Sequence, residues 1–410
     1  MSCFDSLETR DPAAREQDLM ARLPRQVAHA KASTPAYAEL LDGFEPAAVN
    51  SPAALAALPV VRKTDLLHRQ QTARPFGGFV GAWRGHVGRV FASPGPIYEP
   101  EGRGADYWRT ARALFSAGFR AGDVVHNCFS YHMTPGAWIM ESGALALGCT
   151  VFPGGVGQTE QQVQAIADLR PDGYTGTPSF LKIILDKADE TGADVSSLRK
   201  ALVSGEAFLP SVRDALRLRG VEGYQAYATA DVGVIAYESV AREGLIVDEG
   251  VIVEIVRPGT GDPVGEGEVG EVVVTVFSPD YPLVRFGTGD LSAVLPGRSP
   301  CGRTNMRIKG WMGRADQTAK VKGMFVHPSQ VADVVRRHRE IRRARLVVDN
   351  PDGNDRMTLH CEVTGSGVAL AQDVAGTIRE VTKLRGEVIF CLPGSLPNDG
   401  KVIDDVRKFD

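Results

Sequence analysis

The chain has no uninterrupted apolar stretch approaching the roughly 18 residues that a membrane-spanning helix needs. Its first residues, Met1-Ser2-Cys3-Phe4-Asp5, lack both a basic segment and an apolar core, so a signal peptide is not expected. Positive charge is not in surplus: 46 Lys and Arg stand against 50 Asp and Glu, a formal net charge of −4. That balance argues against a general nucleic-acid binder, which would carry a basic face. Cysteine is sparse. Cys3, Cys128, Cys149, Cys301, Cys361 and Cys391 are scattered without close pairing, which gives no disulfide framework and suits a reducing cytoplasm. Neither nucleic acid nor membrane is expected as a partner, and the expected location is cytoplasmic. What remains is ordinary globular material, 43% hydrophobic and 23% charged. At 410 residues it is too long for one core, so two or three domains are expected.

Along the chain, Asp18 to Leu41 has a helical pattern with Leu19, Leu23 and Val27 on one face, interrupted by Pro24 and Pro35. Asp106 to Phe119 also reads as a helix. Val124-Val125-His126 and Cys149-Thr150-Val151-Phe152 read as strands, and such alternation predicts parallel α/β architecture with crossover helices. From Val251 the texture changes. Two β-rich runs, Val251 to Val256 and Glu271 to Val276, flank the turn-rich Pro258 to Pro263, which predicts an antiparallel or barrel-like subdomain. After Gly313-Arg314-Ala315-Asp316 come about a hundred residues with their own strand and helix signals. The expected division is therefore residues 1–313 and 314–410.

Several separated segments carry more than periodicity. Gly313-Arg314-Ala315-Asp316 continues to Lys320-Val321-Lys322-Gly323 and then His327-Pro328-Ser329-Gln330. Upstream stand Arg285-Phe286-Gly287-Thr288-Gly289-Asp290-Leu291 and Cys301-Gly302-Arg303-Thr304. Gly394-Ser395-Leu396-Pro397 with Gly400-Lys401 closes the series, and Leu58-Pro59 with Lys63-Thr64-Asp65-Leu66, Gly176-Thr177-Pro178-Ser179 and Ser204-Gly205-Glu206 precede it. Read in order, these resemble the phenylacetate–coenzyme A ligase family of the adenylate-forming superfamily. The resemblance covers about residues 15 to 408. Its implied fold is a large N-terminal α/β adenylate-forming domain, of parallel sheets plus a β-barrel-like subdomain, with a small mobile α+β C-terminal domain. The implied reaction joins a carboxylic acid to ATP as an acyl-adenylate, which the thiol of coenzyme A then converts to a thioester. ATP or AMP, Mg²⁺ and coenzyme A are the implied cofactors, and a homodimer is left open.

The resemblance also implies roles. Asp290 would accept hydrogen bonds from the ribose hydroxyls, a task suited to a carboxylate; locally it also reads as a turn residue in Gly-Thr-Gly-Asp. Lys401 would orient the acid and stabilise charge on the α-phosphate, although a lone Gly-Lys also reads as a terminal turn. Asp316 would be the hinge, with Arg314, Lys322 and Gly323 beside the nucleotide. Ser204, Gly205 and Glu206 would form the adenine loop. Tyr227, Ala228 and Thr229 continue it, with Tyr227 stacking on the base and Asp231 helping to hold Mg²⁺. The family's hydroxyl position is Ala230 here, so Thr229 would have to substitute. Tyr131 and His132 would stand near the acid's carboxyl group, His132 in a catalytic capacity, and Gly155 and Tyr174 would line the cavity. Arg336 to Arg345 offers a basic run that reads either as a coenzyme A contact or as a solvated face.

One segment departs from the pattern. Where the family has a threonine-rich phosphate loop with a lysine, this chain has Ser93-Pro94-Gly95-Pro96-Ile97-Tyr98-Glu99-Pro100. The prolines remove backbone donors, and Glu99 replaces a cation. The expectation is an ATP-dependent aryl- or small-acid–CoA ligase. The alternatives are an adenylate-forming enzyme with another acceptor, or a non-catalytic adenylate-binding homologue whose phosphate loop has degenerated.

Overall fold

Five parallel strands form half of a nine-stranded sheet. In spatial order they are Thr150–Phe152, Val124–Asn127, Gly173–Gly176, Lys200–Val203 and Glu222–Thr229. Parallel neighbours cannot be joined by tight turns. The helices Gly136–Ala146, Thr159–Leu169, Pro178–Thr191 and Pro210–Leu218 make the crossovers. The third of these is written locally: the Thr177 hydroxyl caps Phe180 N, Pro178 occupies the first turn, and Gly192 ends the helix at φ +69°. Leu181, Ile184, Leu185 and Ala188 give it one buried face.

The chain runs from Val124–Asn127 outward to Thr150–Phe152, then returns past it to Gly173–Gly176. Strand order therefore reverses between Val124–Asn127 and Gly173–Gly176. Open α/β sheets bind ligands beyond the carboxyl ends at such a reversal, which here means beyond Asn127 and Gly176.

After Glu222–Thr229 the sheet becomes antiparallel through Gly233–Glu238, Leu245–Val247 and Arg307–Ile308. The parallel architecture read from the sequence thus holds for one half only. Ala230 to Val232 is too short a connection for a crossover, so the chain must turn back on itself. One core cluster includes Trp108, Leu114, Phe119 and Tyr237, and another includes Val163, Ile166, Tyr174 and Leu181.

The expected helices shift at their ends. The first spans Pro12–Ser33, started by Asp11, whose carboxylate accepts from Ala13 N and Ala14 N, and it accommodates Pro24 internally. Pro35 opens a separate helix, Pro35–Leu40. The helix expected from Asp106 is confined to Ala111–Ser116, because Asp106 and Arg109 adopt φ of 47° and 62°. Asp106 instead accepts from Thr110 N and Ala111 N with its side chain.

The structure is a computed structural model that describes residues 3–93, 96–315, 317, 319–321, 324–350, 355–365 and 367–407, with backbone alone at 320, 324, 325 and 368. Pro94, Gly95, Asp316, Lys322 and Gly323 lie outside the described residues. The chain divides into two compact units. One comprises Met1–Val253, Val273–Thr288 and Leu295–Trp311; the other comprises Glu254–Val272, Gly289–Val294 and Met312–Asp410. The second unit therefore takes in two segments upstream of residue 313, and the division runs through the strands Val251–Val256, Gly270–Val276 and Phe286–Ser292. The C-terminal stretch orders Glu387–Cys391, Arg356–Val363, Ile341–Asp349 and Ile403–Asp405 into a sheet. Its core takes Val331 and Val334 from the helix Pro328–Arg337 and Val374 and Ile378 from Val368–Thr382. Among the described residues no helix is long and apolar enough to cross a membrane.

Gly143 marks a close approach of two elements, since a Cβ there would lie 2.4 Å from Thr110 Cβ and 2.7 Å from Ala111 N. Gly143→Ala is expected to cost about 1–3 kcal/mol through overpacking, read as a lower thermal midpoint; an unchanged midpoint would remove this packing argument.

Candidate active site

The crevice at the strand reversal is organised by Asn127, which is fully buried. Its Nδ2 donates to Ala137 O at 3.0 Å and to the Tyr131 hydroxyl at 2.9 Å, and its Oδ1 accepts from Thr175 Oγ1 at 3.0 Å. Gly155 N donates to Asn127 O at 3.0 Å. On the adjacent strand end, Ser204 N donates to Gly176 O at 3.2 Å, and Ser179 N donates to Glu206 Oε1 at 2.7 Å. Gly205 adopts φ +84°, a conformation glycine reaches without strain. Ser204, Gly205, Glu206 and Gly155 are thereby gathered at the carboxyl end of the parallel strands.

Tyr227 stands near the end of Glu222–Thr229 and is buried, with its hydroxyl donating to Thr288 Oγ1 at 3.0 Å. Pairing with Gly233–Glu238 shifts register between Tyr227 and Ala228, as at a bulge that re-aims the following side chains. Thr229 Oγ1 accepts from Val232 N at 3.2 Å. One acceptor site of the hydroxyl is therefore committed to the turn, and its proton remains available to donate.

Asp231 is 4% exposed and meets groups that sequence reasoning did not combine. Lys63 Nζ lies 2.9 Å from Asp231 Oδ2. Lys63 directly follows Val61–Arg62, a short strand paired in parallel with Phe286–Gly287. The second neighbour is Glu99. The segment expected as a phosphate loop is mostly a hairpin of Arg89–Ser93 against Ile97–Glu101, with Phe91 opposite Glu99. Glu99 is consequently not a loop residue turned to solvent: it is fully buried, and Ser93 Oγ donates to its Oε1 at 2.6 Å. Gln70 holds the strand from its other side, donating to Tyr98 O and accepting from Tyr98 N, both at 2.8 Å. Burial, reinforced by the Asp231 carboxyl, pushes the Glu99 carboxyl up to about 8. A two-fold clue was present in the sequence, Lys63 in the N-terminal motif and Glu99 in the departing loop, but about 170 residues separate Lys63 from Asp231.

The expected acid-site residues are less uniform. Tyr131 donates to Glu141 Oε2 at 2.7 Å, and burial together with Glu141 pushes its phenol upward. Its hydroxyl proton is thus engaged by a carboxylate of the chain itself. His132 is exposed in a loop whose Met133 O accepts from Ala92 N at 2.8 Å. Tyr174 is fully buried and donates to Thr177 O at 3.1 Å, so it supports the loop from the core instead of lining a cavity. Missed by the sequence were His126 and Gln162, which bond at 2.7 Å beneath the Gly154–Gly157 turn, where Gln162 Nε2 donates to Gly154 O at 2.8 Å. Their signal was a polar pair inside otherwise apolar periodicity.

In the second unit, Asp290 lies within the strand Phe286–Ser292, not in a turn, and pairs with Arg314 at 2.9 Å. Lys401 is half-exposed, with Nζ 2.7 Å from Asp404 Oδ1 and its backbone N donating to Asp399 Oδ1 at 3.0 Å. Arg345 binds both acids, Asp399 and Asp404, at 2.8 Å. That pairing assigns Arg345 to the lysine loop and removes it from the basic run. Gly400 has φ +72°, and a Cβ there would come within 2.5 Å of Val269 Cγ1.

Two carboxyl groups and a lysine in one buried cluster give a pH signature. Folded Glu99 keeps its proton up to about 8, whereas its ordinary value is 4.5. Between these values Glu99 holds its proton in the folded chain and has lost it in the unfolded one, so its contribution to stability falls as pH rises. In metal-free buffer, the thermal midpoint of wild type relative to Glu99→Gln is expected to fall as pH rises across this window; a difference that does not change with pH would contradict the buried protonated acid.

Residues 105–276 match the family model for AMP-binding enzymes. A phenylacetate-coenzyme A ligase of Aromatoleum evansii is 31% identical over 401 residues, covering 91% of this chain and 89% of that protein. One of Thermus thermophilus is 33% identical over 333 residues, covering 77% and 73% respectively. The fold resembles the crystal structure of 2-hydroxyisobutyryl-CoA ligase in its postadenylation state, with a TM-score of 0.73, 24% identity, and coverage of 99% of this chain and 94% of that one. On this extent of similarity, the chain belongs to the phenylacetate–coenzyme A ligase family of AMP-binding enzymes.

Proposed function

We propose that this protein is an ATP-dependent carboxylic acid–CoA ligase acting through an acyl-adenylate on an aromatic or small organic acid. The observation that carries the reading is the Tyr227–Thr288 hydrogen bond. It ties the tyrosine assigned to the adenine to the strand that, two residues later, carries Asp290, the carboxylate assigned to the ribose. The loop Ser204-Gly205-Glu206 supplies backbone groups beside the same strand ends.

In the first half-reaction, a carboxylate oxygen of the acid attacks the α-phosphorus of ATP and pyrophosphate leaves. Lys401 would release Asp404 and hold the acid and the α-phosphate, where a fixed ammonium stabilises the charge of the transition state. Giving up an ion pair with a half-exposed lysine costs little, about 0–1 kcal/mol. Asp231 fits a divalent cation, since its Oδ1 is buried without a donor. Mg²⁺ there would neutralise phosphate charge and position the leaving group. In the second half-reaction the sulfur of coenzyme A attacks the acyl carbon, its proton is lost, and AMP leaves. The Asp290–Arg314 pair would open or share its carboxylate to receive the ribose hydroxyls. Asp316, Lys322 and Gly323 keep their assigned roles as hinge and nucleotide contacts on the family resemblance alone. Gly155 and the loop bearing His132 are assigned to the acid.

ATP–pyrophosphate exchange across a panel of aromatic and small aliphatic acids tests the reading. Acid-dependent exchange followed by CoA-ester formation is expected; exchange without the ester would point to another acceptor. No exchange with any acid, by folded protein that binds AMP, would defeat the ligase assignment. Lys401→Ala is expected to lower exchange by at least a hundredfold, about 2.7 kcal/mol in the barrier, with AMP binding retained. Persistent exchange in that variant would remove Lys401 from the mechanism.

A further inference from the structure

The hairpin brings an acid to Asp231 where the family pattern calls for a cation. Ser93 satisfies Glu99 Oε1, but Oε2 has no donor, and Asp231 Oδ1, on the far side from Lys63, has none either. The two carboxyls are within hydrogen-bonding reach of each other. A third oxygen, the Tyr281 hydroxyl, is also buried without a partner; it is 1% exposed and lies within electrostatic range of both acids. Buried polar atoms almost always have partners. Two unmatched carboxyl oxygens within reach of each other point to something that belongs between them.

A proton can join Oε2 to Oδ1, and with Lys63 it leaves the cluster neutral, with no charge to offer a phosphate. A small divalent cation takes oxygen ligands, commonly one or two carboxylates completed by waters and substrate phosphates. With Lys63 alone, two carboxylates leave one negative charge in excess; a divalent cation turns this into one positive charge in excess. The fully ionised pair would repel a polyphosphate, the protonated pair would not attract one, and the cation-bound pair would. No group of three or more His, Cys, Asp or Glu is placed to hold a metal among the described residues, so the remaining positions would fall to water or phosphate.

We propose that Glu99 is a second protein ligand for the divalent cation assigned to Asp231, so that the hairpin meets the phosphates through metal where related chains would use a lysine. The inference rests on the metal role of Asp231 within the proposed function. It also accounts for the clamp of Gln70 on Tyr98, which fixes the strand position of Glu99 before any ligand arrives.

The test uses Mn²⁺ as the probe, with free Mn²⁺ measured by electron paramagnetic resonance in titrations of the full, nucleotide-free chain. Wild type is expected to bind one Mn²⁺, and both Glu99→Gln and Asp231→Asn to weaken binding at least tenfold while circular dichroism stays native. Equal affinity in wild type and Glu99→Gln would overturn the proposal, as would a wild type that binds no Mn²⁺. Should Glu99→Gln fail to fold, Glu99→Asp is expected to weaken Mn²⁺ several-fold, and wild-type affinity in that variant would overturn it equally. A Glu99→Gln protein that binds ATP more tightly without any metal would mark Glu99 as a purely repulsive group. The two readings fail separately: Mn²⁺ binding through Glu99 with no acid-dependent exchange would remove the ligase assignment and leave the metal site standing.

Discussion

Burying Glu99 beside Asp231 places two acids out of reach of solvent, one paired with Lys63 and the other held protonated by burial and its neighbour. Buried polar groups in such a place are expensive unless matched, so everything around them must be held in position. The short strand that delivers Lys63, the Gln70 clamp on Tyr98, the Ser93 hydroxyl and the turn after Tyr227 all meet this demand. A flexible phosphate loop could not support it. The two-stranded hairpin, with cross-strand pairing from Arg89–Glu101 to Ser93–Ile97, can.

The rest of the site follows from connectivity. One outward step and one return across the parallel strands leave Asn127 and Gly176 as neighbours whose following loops diverge. Asn127 then satisfies groups from both sides, and its fixed amide decides where the Tyr131 hydroxyl and the helix beginning at Gly136 can sit. The Gly154–Gly157 turn is held from below by Gln162 and His126, so polar groups in the core shape a surface that glycines leave open.

Around Lys401 the arrangement is looser. Arg345 is nearly buried and fastens Asp399 and Asp404, which in turn hold the backbone and the ammonium of Lys401. Gly400 lets the chain pass close to Val269 with a positive φ that other residues would resist. The loop's shape is thus rigidly specified while the lysine's own side chain stays half in solvent and free to exchange partners.

The sequence by itself determined the family, the alternation of strands and helices, and the identity of Tyr227, Asp231, Asp290 and Lys401 as residues worth following. These are local signals: motif spacing, periodicity, and glycines and prolines at turns. Helix ends and the antiparallel half of the sheet were less legible, because the side-chain cap of Asp106 and the short turn after Thr229 act below the scale of a periodic pattern. Partnership was not legible at all. That Tyr131 bonds Glu141, that Tyr174 supports Thr177 from within, and that Glu99 turns inward to Asp231 beside Lys63 depend on contacts between distant segments. Glu99 reads as a misplaced charge in one dimension. Only the tertiary structure, by burying it opposite a second carboxyl, gives its oxygens something to bind.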